Sequence, residues 1–62
     1  MRKNLKDARN KMGLTQKQMA EMLKISYVYY QSIEEGKRIG TVKIWDSIED
    51  LTGMNQRFLR EC

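Results

Sequence analysis

The chain has 62 residues, with 12 Lys+Arg against 8 Asp+Glu, no His, no Pro and a single Cys, for a formal net charge of +4. A chain this short buries only about 60 % of its unfolded surface, enough for one small core and no second domain, so residues 1–62 are expected to form one domain. With no His, and with Cys62 as its lone thiol, it lacks the usual tuned base, an internal disulfide and a Cys/His metal site, so no enzyme activity, metal or cofactor is expected.

No run approaches the roughly 18 apolar residues that span a bilayer, and Met1, Arg2, Lys3 and Asn4 lead into a polar pattern instead of a signal-peptide block. A cytoplasmic protein with no membrane partner is expected. The charge is uneven: residues 1–24 carry seven basic and two acidic side chains, and residues 25–62 carry five and six. A basic half invites a polyanion, although mildly basic small proteins are common.

Asn4 suits a helix N-cap, with Asp7 in the first turn, and Leu5, Ala8 and Met12 repeat at helical spacing until Gly13, which predicts helix 1 over about 5–12. Thr15 followed by Gln18 is a capping box, and Met19, Ala20 and Leu23 form the apolar stripe of helix 2, about 16–23. The stretch Ile25 to Tyr30 has strand-like composition, but an isolated strand has nothing to pair with. Ser26 is a good cap, and Gln31 to Glu35 continue to Gly36, which predicts helix 3 over about 27–35. Thr41 caps a fourth helix with Val42, Ile44, Trp45, Ile48 and Leu51 on one side and Gly53 at its end. Asn55 opens a short fifth helix carrying Phe58 and Leu59. Met12, Met19 and Met22 read as packing material. The fold class is all-α.

Only Lys24, Ile25 and Ser26 separate helices 2 and 3, the short connection of a helix-turn-helix, whose second helix enters the DNA major groove. Successive residues turn by about 100°, so Tyr30 and Ile33 face the core while Val28, Gln31, Ser32 and Glu35 face away, with Tyr27 and Tyr29 on the flanks. Small and amide side chains dominate that outward face.

The run Leu14-Thr15-Gln16-Lys17-Gln18-Met19-Ala20-Glu21-Met22-Leu23, then Ile25-Ser26, then Gln31-Ser32-Ile33-Glu34-Glu35-Gly36-Lys37, resembles the phage repressor/Cro (XRE-like) family over about residues 5–59. Two positions depart from its pattern: Lys24 stands where the turn often has Gly, and Gly40 where Pro is frequent, which suggests a looser entry to helix 4. The resemblance implies a compact five-helix, lambda-repressor-like DNA-binding domain, most often a repressor. It implies that Gln16 bonds a phosphate and braces the recognition helix, and that Tyr27, Val28, Gln31 and Ser32 lie where bases are read. Lys37, Arg38 and the start of helix 4 near Thr41 would hold phosphates, and Arg9 and Glu34 would form a structural salt bridge between helices 1 and 3.

Side-chain chemistry agrees with those roles. Gln31 can pair with adenine, Val28 can pack on a thymine methyl and Ser32 can bond several base edges, while Lys17, Lys37 and Arg38 supply charge for phosphates. Glu35 has no evident role. One recognition helix reads too few base pairs to locate an operator, so a homodimer on double-stranded DNA is expected, with Phe58, Leu59 and the end of helix 4 as its surface, unless those residues only close the core. No small-molecule ligand is evident. The rival reading is a protein-interaction module, antitoxin-like or antirepressor, in which Tyr27, Val28 and Tyr29 form the contact patch.

Overall fold

A computed structural model describes residues 1–61. Its elements in chain order are α1 (Lys3–Lys11), α2 (Gln16–Leu23), α3 (Tyr27–Glu35), α4 (Val42–Thr52) and α5 (Gln56–Arg60), with no strand among the described residues. Cys62 lies outside the described residues.

Four of the five helices begin on a short polar side chain that accepts from an otherwise orphaned backbone N–H. Thr15 Oγ1 accepts from Gln18 N at 3.1 Å while Gln18 Oε1 accepts from Thr15 N at 2.9 Å, which completes the capping box. Ser26, Thr41 and Asn55 each accept a single backbone N–H bond at the start of α3, α4 and α5.

Helix α1 departs from the local signal. It starts at Lys3, one residue before the expected cap, because the chain is anchored at Arg2 by tertiary bonds: Arg2 N donates to Glu34 O at 2.7 Å. Asn4 is thus inside the helix, where its Nδ2 donates to Phe58 O at 3.0 Å, and Asp7 lies beyond the first turn. Met12 follows the last helical residue as the C-cap.

The core is Leu5, Ala8, Met19, Ala20, Tyr30, Ile33, Trp45, Ile48 and Leu59, all buried, with Leu14, Leu23, Ile25, Tyr29, Ile44, Leu51 and Met54 packed around it. Helix α3 packs on α2 and α1, and α5 closes the bundle against α1 and α4. Two residues expected to pack inside are exposed instead. Val42 is exposed because it heads α4, a turn before Trp45 and Ile48 meet the interior, and Met22 is exposed beside the buried pair Met19 and Ala20.

Trp45 is the pivot of the α3–α4 connection. Its Nε1–H donates to Ile39 O at 2.6 Å, and the guanidinium carbons of Arg2 and Arg60 each lie 5.5 Å from its ring centroid. Gly40 sits beside it at φ +81°, where a Cβ would come within 3.2 Å of both Ile33 Cδ1 and Trp45 Nε1. The entry to α4 is therefore tight, not loose: the position needs a residue without a side chain, in a conformation that Pro cannot adopt.

Candidate nucleic-acid interface

Lys24 closes α2 in the left-handed region, at φ 59° and ψ 40°. Its N–H donates to Glu21 O at 3.1 Å and that of Ile25 to Ala20 O at 3.0 Å, so the chain reverses within the three residues that separate α2 from α3. The turn has the geometry that glycine would take, held by a lysine at the expense of backbone strain.

Underneath α3 lies a buried polar centre. Arg9 Nε and Nη2 donate to Glu34 Oε2 and Oε1 at 3.0 and 3.1 Å, and Arg9 Nη1 donates to Leu14 O at 2.7 Å. Gln16 Nε2 donates to the same carboxylate at 3.2 Å, which couples the first turn of α2 to α3. Burial opposes the Glu34 charge, but Arg9, then Tyr30 and Gln16, outweigh it and hold the carboxyl below the ordinary glutamate range. The Tyr30 hydroxyl is buried beside this carboxylate at a geometry short of a hydrogen bond; burial, then the carboxylate, pushes its phenol up. The pair fixes how far α3 stands out from α1.

The opposite side of α3 carries the residues expected to read bases. Val28 is 68 % exposed and Tyr27 44 %, while Gln31 and Ser32 are half-buried. Ser32 Oγ donates back to Val28 O at 3.0 Å, which leaves its oxygen able to accept from an external donor. Gln31 has no intramolecular side-chain partner among the described residues, so its amide keeps both donor and acceptor for an external group.

The nine candidate DNA contacts divide into groups. Gln16, Lys17 and Tyr27 line one depression with Arg9, Leu14 and Thr15, on the α2 side of α3. Val28, Ser32 and Arg38 line another with Ser26 and Tyr29, on the side of the α3–α4 connection. Gln31 lies on the ridge between them. Lys37 is exposed and its ammonium pairs with Glu35 at 3.2 Å, which gives Glu35 a place: it is neutralised at the end of α3. Thr41 Oγ1 accepts from Ile44 N at 3.2 Å, leaving its hydroxyl proton free to donate at the exposed start of α4.

Sequence reasoning missed Arg2. It counted among the basic groups of the N-terminal half, yet it is 6 % exposed, with Nη1 donating to Ile33 O at 2.6 Å and Arg38 O at 2.9 Å and Nε to Arg60 O at 3.1 Å. No local pattern distinguishes it from a solvated arginine. Arg9 is likewise interior, so the outward positive charge near α3 comes from Lys17, Lys24 and Arg38, and from Lys37 beside its partner Glu35.

The expected dimer surface splits in two. Leu59 is fully buried and closes the core, whereas Phe58 is 45 % exposed and edges a groove of about 600 Å³ with Asn4, Asp7, Ala8, Lys11 and Met54. Among the described residues no helix is long and apolar enough to cross a membrane.

Comparison with known proteins adds one match. The family model described as "Helix-turn-helix" covers residues 5–55, which takes in α2, the turn, α3, all of α4 and most of α1. No curated protein and no solved structure matches significantly. With most of its length inside that match, and with the α2–turn–α3 geometry described above, the chain belongs to the XRE/Cro-like helix-turn-helix family and is a DNA-binding regulator.

Proposed function

We propose that the protein is a sequence-specific repressor that reads the major groove of duplex DNA with α3. The observation that carries this reading is the arrangement of α3: an outward ridge of Val28, Gln31 and Ser32 without a charge, flanked by Gln16 and Lys17 on one side and Arg38 on the other. A helix lying in a groove about 12 Å wide needs this pattern, with neutral hydrogen-bonding groups toward the bases and donors toward both sugar–phosphate walls.

The roles follow from position. Val28, Gln31, Ser32 and Tyr27 meet base edges, with a lean toward A·T-containing sites. Gln16, Lys17, Lys37, Arg38 and the start of α4 at Thr41 hold phosphates, and Arg9–Glu34 supports α3 from beneath. The protein acts in the cytoplasm as one domain, without catalysis, cofactor or small-molecule ligand. Two copies bind about one turn of DNA apart, paired through the side that exposes Phe58.

The test is binding-site selection from random duplexes, followed by a salt titration on the selected site. Contact with five or six phosphates should weaken affinity by about 10³ between about 50 and 200 mM salt. A protein-interaction module would select no sequence and show little salt dependence, and that result would refute the proposal.

A further inference from the structure

Arg38 is held at both ends. Its carbonyl oxygen accepts from Nη1 of the buried Arg2 at 2.9 Å, the same nitrogen that reaches Ile33 O near the end of α3. Its guanidinium carbon lies 5.8 Å from the centroid of the Tyr29 ring. The neighbouring Lys37 has neither support: its side chain is 76 % exposed and meets only the Glu35 carboxylate.

The contrast is chemical. A guanidinium is flat and weakly hydrated and stacks on an aromatic face, whereas an ammonium is a strongly hydrated point charge. Tyr29 is half-buried against the core, so its ring is a fixed platform. An arginine resting on it surrenders much of its rotamer freedom before any ligand arrives, and binding then costs less. The platform also sets direction, because Arg38 shares its cleft with Ser26, Val28 and Ser32, along the flank of α3.

Resting on the DNA-binding reading above, we infer that Tyr29 is a positioning residue: it holds Arg38 against the flank of α3, aimed at the phosphate that borders the bases faced by Val28 and Ser32. Tyr29 acts through Arg38 and not by stacking on a base. The buried Arg2 completes the device by fixing the backbone from which Arg38 projects.

The experiment measures affinity for the selected duplex between about 50 and 200 mM salt. It compares the wild type with Tyr29→Phe, Tyr29→Leu, Arg38→Lys, Arg38→Ala and the double variant Tyr29→Leu/Arg38→Ala. Tyr29→Phe keeps the ring and should match the wild type. Tyr29→Leu and Arg38→Lys should each weaken binding about 2- to 5-fold while keeping the wild-type salt slope, since the charge remains and only its support is lost. Arg38→Ala should lower the slope by about 0.9, and adding Tyr29→Leu to it should change nothing more. Arg38 is exposed, so Arg38→Lys tests the idea even where Tyr29→Leu does not fold. Equal effects of Tyr29→Leu with and without Arg38→Ala would overturn the inference, as would an Arg38→Lys protein that binds like the wild type. A wild type that binds no duplex overturns the DNA-binding reading itself, a result distinct from binding with Tyr29 and Arg38 uncoupled.

Discussion

Replacing Glu34 by Ala removes a carboxylate that is fully buried and accepts three hydrogen bonds, from Arg9 Nε, Arg9 Nη2 and Gln16 Nε2. What remains is an Arg9 guanidinium in a site with 9 % side-chain exposure, satisfied only through Nη1 to Leu14 O. Breaking a buried pair by deleting one partner costs about 3–5 kcal/mol. A domain of this size has a total stability of about 3–9 kcal/mol, so Glu34→Ala should sit at the edge of unfolding at room temperature. Its Tm should fall by at least about 12 °C. Urea denaturation followed by far-ultraviolet circular dichroism and by Trp45 fluorescence measures the loss. Glu34→Gln, which keeps the shape but not the charge, should lose less, about 1–3 kcal/mol. The wild type and its Glu34 variants also separate by pH. Because the folded Glu34 carboxyl is held below its ordinary value, its stabilisation is complete above the ordinary glutamate pKa and is lost as pH falls through the folded value. The wild type should therefore lose stability more steeply than Glu34→Gln as the pH falls below the ordinary glutamate range. A Glu34→Ala protein with the wild-type midpoint, or a Glu34→Gln protein with the wild-type acid profile, would refute the argument.

Three further substitutions test the scaffold. Lys24→Gly removes left-handed strain at φ 59° against a smaller gain in unfolded-chain freedom, so it should raise stability by about 0.5–1 kcal/mol; a lower Tm would contradict this. Gly40→Ala places a Cβ within 3.2 Å of Ile33 and Trp45 at φ +81° and should cost about 1–3 kcal/mol, read from the urea midpoint. Arg2→Met keeps apolar contact with Trp45 but abandons the carbonyls of Ile33, Arg38 and Arg60, and should cost about 2–4 kcal/mol; a neutral result would mean that those bonds exchange freely with water.

What the sequence makes legible follows the range of the interactions. The starts of α2, α3, α4 and α5 are written in Thr15, Ser26, Thr41 and Asn55, whose hydroxyl or amide oxygens bond a backbone N–H two or three residues on. The strand-like Tyr27-Val28-Tyr29-Tyr30 becomes helix because Ser26 caps it and Tyr30 and Ile33 find a core at helical spacing. Local rules fail at α1, where a contact between Arg2 and Glu34, distant in sequence, moves the start past the capping signal of Asn4. They also fail at Val42, because a helical wheel gives direction but not which turn of the helix has a neighbour. At the candidate site, periodicity alone displays the outward ridge of α3. The grouping of Gln16 and Lys17 with Tyr27, and of Arg38 with Val28 and Ser32, depends on how α2 and the α3–α4 connection approach that ridge, as does the platform of Tyr29 beneath Arg38. No spacing encodes those approaches.

Nuclear magnetic resonance titration of the labelled protein with its selected duplex locates the contact directly. If α3 enters the groove, the largest backbone amide shifts fall on Gln16, Lys17, Val28, Gln31, Ser32, Arg38 and Thr41, and those of Met54 and Phe58 respond only to pairing of two copies. Shifts confined to the α1–α5 groove, with Val28, Gln31 and Ser32 unmoved, would contradict it.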